Sequence, residues 1–350
     1  MNSLHLYTDT RVYVYCPAGA VTGGAELLHQ LVHTLNTNGG NAYVVYYGEQ
    51  PHTVPADYAK YTLQLADALE DSPNNVAVIY EGYFKKAFEI KAAQIVLWWL
   101  SVDNFYLCQA NHLRAKDLLG YNFGWALPVL AKRIVKILLG RKPEFRFSLQ
   151  EVLRLNVVCN AYQSEYASDF LTRNKATSLY PLKDYINDEN FTAELNTQRD
   201  DLVLYNPRKG YPFTRKLIQH SPQLQWVPIQ GMNRSQVLAL MRKSKVYVDF
   251  GFHPGKDRLP REAAMNGCCI VTGKKGSAGF YGDISISDTY KFDQKKADIS
   301  LIIAKIEQLV HQYSLHTEDF TLYRDRIRAE KAEFEQQACH LFIKREPKEQ

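Results

Sequence analysis

The chain has 350 residues, 46% of them hydrophobic and 23% charged, with a formal net charge of +5 and a pI near 8.7. That composition excludes a disordered chain, and the length favours two domains over a single core. The mild basic excess suits an acidic small molecule or an anionic membrane surface, and no nucleic-acid partner is expected.

Arg11 to Cys16 reads as a short strand, followed by the loop segment Pro17 to Glu26. Leu27, Leu28, Leu31, Val32 and Leu35 then recur at helical spacing, with Gly39 and Gly40 as a stop. Asn41 to Tyr47 reads as a second strand, so the opening is a β–loop–α–β unit of a parallel sheet. Further strands are expected over Asn75–Tyr80, Gln94–Leu100 and Leu155–Cys159, and a helix over Ala161–Arg173. The polar, Asn-rich stretch that follows reads as a linker. The β–loop–α rhythm restarts at Asp201–Tyr205 and continues through strands Gln225–Ile229, Ser244–Phe250 and Cys268–Thr272, with a short helix at Pro260–Asn266. Helical runs Ile299–Ser314 and Glu318–Phe342 close the chain, and the last six residues read as a solvated tail. The expected organisation is a first domain over 1–175, a linker over 176–200, a second domain over 201–320, and a closing helix and tail over 321–350.

The N-terminus lacks a basic start followed by an apolar core, and no run of about 18 apolar residues occurs, so neither a signal peptide nor a spanning helix is expected. Six cysteines (Cys16, Cys108, Cys159, Cys268, Cys269 and Cys339) show no metal-ligand spacing and read as buried free thiols of a reducing cytoplasm.

Five segments could carry chemistry. The loop before the first helix holds Gly23 and Gly24, where backbone can approach a ligand and helix N–H groups can meet an anion. The glycine spacing is not the dinucleotide fingerprint, and a tight turn without a ligand explains it as well. Asn206-Pro-Arg208-Lys209-Gly210 sets two cations at a strand end before a helix, a diphosphate clamp or a solvated surface turn. In His253-Pro-Gly255-Lys256-Asp257-Arg258, Lys256 and Arg258 could meet phosphate oxygens, His253 could contact a sugar, and Asp257 could instead pair with a cation. Glu262 opens the helix behind this loop and can accept from ribose hydroxyls, since a carboxylate only accepts. Asp103, at the end of a first-half strand, is a candidate base toward an acceptor hydroxyl, or else part of a helix cap. Finally, Leu127 to Lys142 interleaves Leu130, Ile134, Ile137 and Leu138 with Lys132, Arg133, Lys136, Arg141 and Lys142. That pattern fits a basic amphipathic helix on an anionic membrane surface, or a domain helix with one solvated face.

Together these residues resemble the glycosyltransferases of the GT-B fold, family 4 type. Gly23-Gly24-Ala25-Glu26 is similar to that family's GGxE loop, and Lys209-Gly210 to the KG pair of its phosphate loop. Gln230-Gly231 resembles the loop before its nucleotide-contacting helix, and Glu262-Ala-Ala-Met-Asn-Gly267 with Cys-Cys-Ile-Val resembles the segment carrying its ribose-binding glutamate. The resemblance implies an α/β fold of two Rossmann-like domains facing across a cleft, with the C-terminal helix crossing back to the N-terminal domain. It implies transfer of a sugar from a nucleotide-sugar to a glycan or lipid-linked acceptor, commonly in bacterial surface glycan synthesis. No cofactor and no metal are implied, because cations and helix dipoles neutralise the leaving diphosphate. A cytoplasmic protein, peripheral at the inner face of the membrane, is the matching location.

Two departures from the family pattern stand out. The first of its paired glutamates should fall at position 254, which is Pro254, and an expected arginine falls at Leu204. The donor-sugar contact would pass to His253 or Asp257 or be absent, and Arg208 would replace the arginine. Two other readings remain: a non-hydrolysing nucleotide-sugar epimerase, and a non-catalytic nucleotide-sugar-binding protein. An NAD dehydrogenase is disfavoured by the glycine spacing.

Overall fold

The computed structural model of the chain describes residues 4–142, 144–155, 157–191 and 198–343. They fall into two compact units: residues 1–163, 167–183 and 334–350, and residues 164–166 and 184–333.

The first unit is built on six parallel strands: β1 (Val12–Pro17), β2 (Ala42–Tyr47), β3 (Val76–Tyr80), β4 (Gln94–Trp99), β5 (Val157–Tyr162) and β6 (Leu179–Pro181). Their order across the sheet is β2-β1-β3-β4-β5-β6. The central strands β3 and β4 are near-continuous apolar runs, as a parallel sheet covered on both faces requires. Helix α1 (Gly23–Thr37) follows β1 and buries Leu27, Leu28, Leu31, Val32 and Leu35, the stripe read from the sequence. Between β4 and β5 run α2 (Val102–Cys108), α3 (Ala115–Tyr121), α4 (Phe123–Leu138) and α5 (Leu149–Leu153), and α6 (Glu165–Arg173) follows β5.

The second unit carries β7 (Asp200–Tyr205), α7 (Tyr211–His220), β8 (Gln225–Pro228), α8 (Arg234–Lys243), β9 (Ser244–Asp249), α9 (Arg258–Met265), β10 (Cys269–Gly273), β11 (Lys291–Phe292), α10 (Ile299–His311) and α11 (Tyr313–His316). The parallel order is β11-β10-β9-β7-β8. Val203, Leu204, Val246, Tyr247, Val248, Ile270 and Val271 are fully enclosed, and Leu217, Met241 and Ile306 close the faces. The last helix, α12 (Thr321–Phe342), begins in the second unit and ends in the first. There Phe334 stacks near Trp98, and the Gln337 carbonyl accepts from the Tyr180 hydroxyl at 3.1 Å.

Four expectations need correction. The linker expected over 176–200 is largely structured, because Leu179–Pro181 pairs with β5 and Leu182, Tyr185 and Ile186 are buried; residues 192–197 lie outside the described ones. The helix expected from Ala161 begins at Glu165, since Ala161 and Tyr162 extend β5. The basic helix expected from Leu127 starts at Phe123, where the Asn122 side chain accepts from the Trp125 N–H, and it stops at Leu138 before Gly140. The expected tail at 345–350 lies outside the described residues. All six cysteines are free; four are buried, Cys339 is half-buried and Cys108 is exposed, contrary to the reading of uniform burial. Among the described residues no helix is long and apolar enough to cross a membrane.

Candidate functional site

In an open parallel sheet the strand order reverses at one point, and the loops leaving the strands there form a natural ligand crevice. In the second unit that point lies between β7 and β9, since β8 continues on one side of β7 and β10 on the other side of β9. The two loops singled out from the sequence, 206–210 after β7 and 250–257 after β9, are therefore neighbours. They touch closely. Gly210 has φ +64°, and a Cβ there would fall 2.4 Å from the Phe250 carbonyl carbon. Gly210 is thus required both by its left-handed backbone and by its neighbour.

Gly210 also caps α7, whose first two residues are Tyr211 and Pro212, so the free N–H groups of that helix open beside Lys209. Asn206 Oδ1 accepts from the Arg208 N–H at 3.0 Å, which shapes the turn and leaves the Arg208 side chain exposed. Lys209 is held differently: its ammonium lies 2.6 Å from Asp257 Oδ2.

The loop after β9 surrounds a buried imidazole. His253 is fully enclosed, with Nδ1 3.0 Å from Asp257 Oδ2 and Nε2 3.5 Å from Asp249 Oδ1. Neither approach has good hydrogen-bond alignment, so the attraction is largely between charges. Burial pulls the His253 pKa down, but the interactions with Asp249 and Asp257 outweigh it and raise the value to about 9. Asp249 accepts in addition from the Tyr247 hydroxyl at 2.9 Å and the Gly251 N–H at 2.8 Å. Asp249, His253 and Asp257 have ligand atoms within 4.8 Å of one another. The two carboxylates, however, face opposite ring nitrogens and Lys209 already occupies Asp257, a set suited to an imidazolium rather than to one cation.

Glu262 lies in α9, only 4% exposed, and Arg234 Nη1 donates to its Oε2 at 2.6 Å. Arg234 begins α8, just after Gly231, and also donates to Glu189 Oε1 at 2.7 Å and to Asn190 Oδ1 at 3.2 Å. Gly231 (φ +66°) is open to solvent, with no atom within 4 Å of where a Cβ would stand. The α8 cap is a reciprocal Asn233–Gln236 box.

Two other expected donor contacts are occupied. Lys256 points inward, its ammonium 2.6 Å from Glu330 Oε1, and is 9% exposed; as placed it is not a cation presented to a phosphate. Gly255 is buried, its carbonyl accepting from Ser277 Oγ at 2.6 Å. Arg258, the first residue of α9, and Pro254 are both half-buried. In the first unit, Gly23 and Gly24 are exposed at the start of α1, capped by Thr22. Asp103 sits in the first turn of α2 with Ser101 as the cap, 2% exposed, and Tyr121 donates to its Oδ1 at 2.7 Å, so its carboxylate is not offered to solvent.

Sequence reading missed Arg234, Asp249 and Glu81. Glu81, at the carboxyl end of β3, is 1% exposed and accepts from the Leu100 N–H at 2.9 Å. Burial raises its pKa to about 8, against backbone hydrogen bonds that lower it. The one available signal for Arg234 was its place in a capping box behind the Gln230-Gly231 turn.

No family model matches the chain, and no curated protein matches it. Solved structures do. Sucrose-phosphate synthase from Thermosynechococcus elongatus superposes with a TM-score of 0.62 at 12% identity, over 95% of this chain and 98% of that one. HepE from Anabaena, solved with UDP-glucose, gives 0.56 at 10% identity, over 94% and 98% of the two chains. The chain has the GT-B fold. WaaG, a glycosyltransferase involved in lipopolysaccharide biosynthesis, gives 0.50 at 11% identity, over 95% of this chain and all (100%) of that one. At such identities the likeness establishes architecture, and function rests on the site.

Proposed function

We propose that the protein is a glycosyltransferase that moves a sugar from a nucleotide-sugar donor to an acceptor hydroxyl during bacterial surface glycan synthesis. The observation that carries this reading is the conjunction of the Lys209-Gly210 loop, the α7 N-terminus and Glu262 around one switch point of a GT-B fold. That HepE was solved with UDP-glucose supports the donor class and makes uridine donors the first to test.

In this proposal Glu262 accepts hydrogen bonds from the ribose hydroxyls. Its present partner Arg234 holds the carboxylate in place through a donated hydrogen bond. Lys209, exposed Arg208 and the α7 N–H groups take up charge as it develops on the leaving diphosphate, which makes the chemistry metal-independent. Because charge grows on that diphosphate as the glycosidic bond breaks, these groups bind the transition state more strongly than the donor. The acceptor is a glycan or a lipid-linked glycan, and the protein works at the cytoplasmic face of the membrane. A non-catalytic donor-binding role is the second reading, favoured by Pro254 at the family's glutamate position and by the engagement of Lys209 with Asp257.

The test is a screen of labelled nucleotide-sugars for transfer and for binding, with Glu262→Ala beside the wild type. Loss of donor affinity in the variant is expected, and unchanged affinity would sink the assignment. Tight binding with no turnover across an acceptor panel would favour the second reading, and epimerised free donor would replace transfer with epimerisation.

A further inference from the structure

The first unit carries a cavity that the proposed transfer does not use. Parallel strands are joined by crossovers, ordinarily helical, and these are right-handed. The crossovers β1 to β2 and β2 to β3 run in opposite directions across the sheet, so they belong on opposite faces. Helix α1 covers the face of Cys16, whose Sγ lies 4.0 Å from His29 Nδ1. The connection from β2 to β3, residues 48–75, holds only one turn of 3-10 helix, at Ala56–Tyr58. The other face of β1 and β2, bearing Tyr13, Tyr15, Tyr43 and Tyr47, therefore lacks its covering α-helix.

The segment Glu81–Glu89 after β3 folds over this face and covers it incompletely. Its Tyr83 ring stacks on Tyr47, centroids 3.7 Å apart and planes within 3° of parallel, and approaches Tyr15 at 5.8 Å. Beside these rings a cavity of about 270 Å³ remains. It runs from Tyr47 and Tyr83, near the carboxyl ends of β2 and β3, to Asp71 and Ile90, which precede β3 and β4. It thus lies over the sheet face and is not the carboxyl-end crevice where open α/β sheets take their ligands. A void left by imperfect packing is apolar and dry, whereas this wall includes Asp67, Lys86 and Glu89.

The charges around the cavity select the class of ligand. An anion would meet the carboxylates of Asp67, Asp71 and Glu89 against the single ammonium of Lys86. An organic cation would need tyrosine faces that already carry ammonium groups: Lys86 lies 6.0 Å from the Tyr15 ring centroid and Lys85 5.7 Å from that of Tyr83. A neutral ligand with hydroxyl groups meets neither obstacle. Asp67 is exposed, has no hydrogen-bond or ion-pair partner among the described residues, and can only accept. Lys86, held 2.8 Å from Glu89 Oε2, can donate. Asp71 is already filled by the N–H groups of Lys91, Ala92 and Ala93, and shapes the wall. Tyrosine rings with a few fixed donors and acceptors match a sugar, whose C–H face packs on an aromatic ring while its hydroxyls both donate and accept.

We propose that this cavity is a carbohydrate-binding site that takes one neutral pyranose unit, its ring against the tyrosines and its hydroxyls on Asp67 and the Lys86–Glu89 pair. The site is separate from the donor contacts proposed in the second unit, and it stands whether or not that assignment does.

The experiment is titration of the full chain with the methyl glycosides of glucose, galactose and N-acetylglucosamine, read by saturation-transfer NMR and calorimetry. Wild type is expected to bind at least one of them. Asp67→Ala should weaken that binding about threefold to tenfold, through loss of a hydrogen bond to a charged acceptor. Tyr83→Leu keeps apolar cover but removes the ring, and should weaken it by a similar factor. Asp67 is exposed, so its variant keeps the fold even if Tyr83→Leu does not. Glu262→Ala should bind the glycoside as wild type does, which separates failure of this proposal from failure of the donor assignment. No binding of any of the three by wild type at ~20 mM overturns the proposal, as does binding that Asp67→Ala leaves unchanged. Binding lost in Glu262→Ala but kept in Asp67→Ala would move the sugar to the second unit and overturn it too. Binding of tetramethylammonium in place of the glycosides would identify an aromatic cation cage instead.

Discussion

The ammonium of Lys209 and the imidazole of His253 share one oxygen: Asp257 Oδ2 lies 2.6 Å from Lys209 Nζ and 3.0 Å from His253 Nδ1. Two buried or half-buried cations thus meet one carboxylate, while Asp249 balances the far side of the ring. The charge of Lys209 is largely spent inside the protein until a stronger anion arrives.

In the proposed function a nucleoside diphosphate competes with Asp257 for Lys209. Asp257→Asn removes the competitor while keeping the side chain's shape, and should tighten binding of a free nucleoside diphosphate by about threefold to tenfold. Titration calorimetry reads this directly. Weaker binding in the variant would instead mean that Asp257 aims Lys209 rather than restraining it.

His253 makes the loop pH-sensitive. Its pKa rises from an ordinary 6.5 to about 9 in the folded chain, the two aspartates overcoming burial. The protonated ring therefore contributes stability that is fully present below about 6.5, declines as pH rises, and is gone above about 9. His253→Gln cannot titrate. The melting temperature of wild type should exceed that of the variant most near pH 6 and converge toward it near pH 9.5. A difference independent of pH across that window would show that packing, not charge, sets the role of His253.

Much of this fold was legible because it depends on short-range pattern. The 3.6-residue stripe of α1 and the apolar runs of β1, β3, β9 and β10 needed no tertiary knowledge. The two loops at the β7/β9 switch point were readable for the same reason: glycines and cations at strand ends are local signals. What could not be read was which charges neutralise each other. Lys256 looks like a phosphate ligand until Glu330, 74 residues later, is found beside it, and Arg133 looks solvated until helix packing encloses it. Asp103 failed likewise, because Tyr121 closes over its carboxylate from the next helical segment. Strand β6 was missed because a three-residue edge strand carries too little periodicity to register.

Glu81 offers an independent test of burial. Its carboxyl is enclosed at the end of β3 and its pKa rises from 4.5 to about 8. An acid whose folded pKa is raised favours the folded state at low pH, and that contribution is lost as pH climbs from about 4.5 through about 8. Glu81→Gln preserves an acceptor for the Leu100 N–H and carries no charge. It should raise the melting temperature little at pH 5 and by about 3 °C or more at pH 8.5. Destabilisation at both pH values would show that the carboxylate is required for another bond.

The strongest structural dependence lies at Arg261. Its guanidinium is fully buried, with Nη2 2.6 Å from Asp184 Oδ2 and Nη1 2.8 Å from Glu330 Oε2, while Lys256 meets the other Glu330 oxygen. Asp184 opens the long stretch of the second unit, Arg261 belongs to α9 and Glu330 to α12, so one side chain ties together segments far apart in sequence. Arg261→Met fills a similar volume but leaves Asp184 without its main partner and Glu330 with Lys256 alone. Removing one member of a buried charge group costs about 3–5 kcal/mol, because the remaining charges stay desolvated. Urea denaturation should show that loss at neutral pH. It should shrink when Asp184→Asn is added, since the second change removes the orphaned charge, whereas additive losses would mean that the guanidinium acts through packing alone.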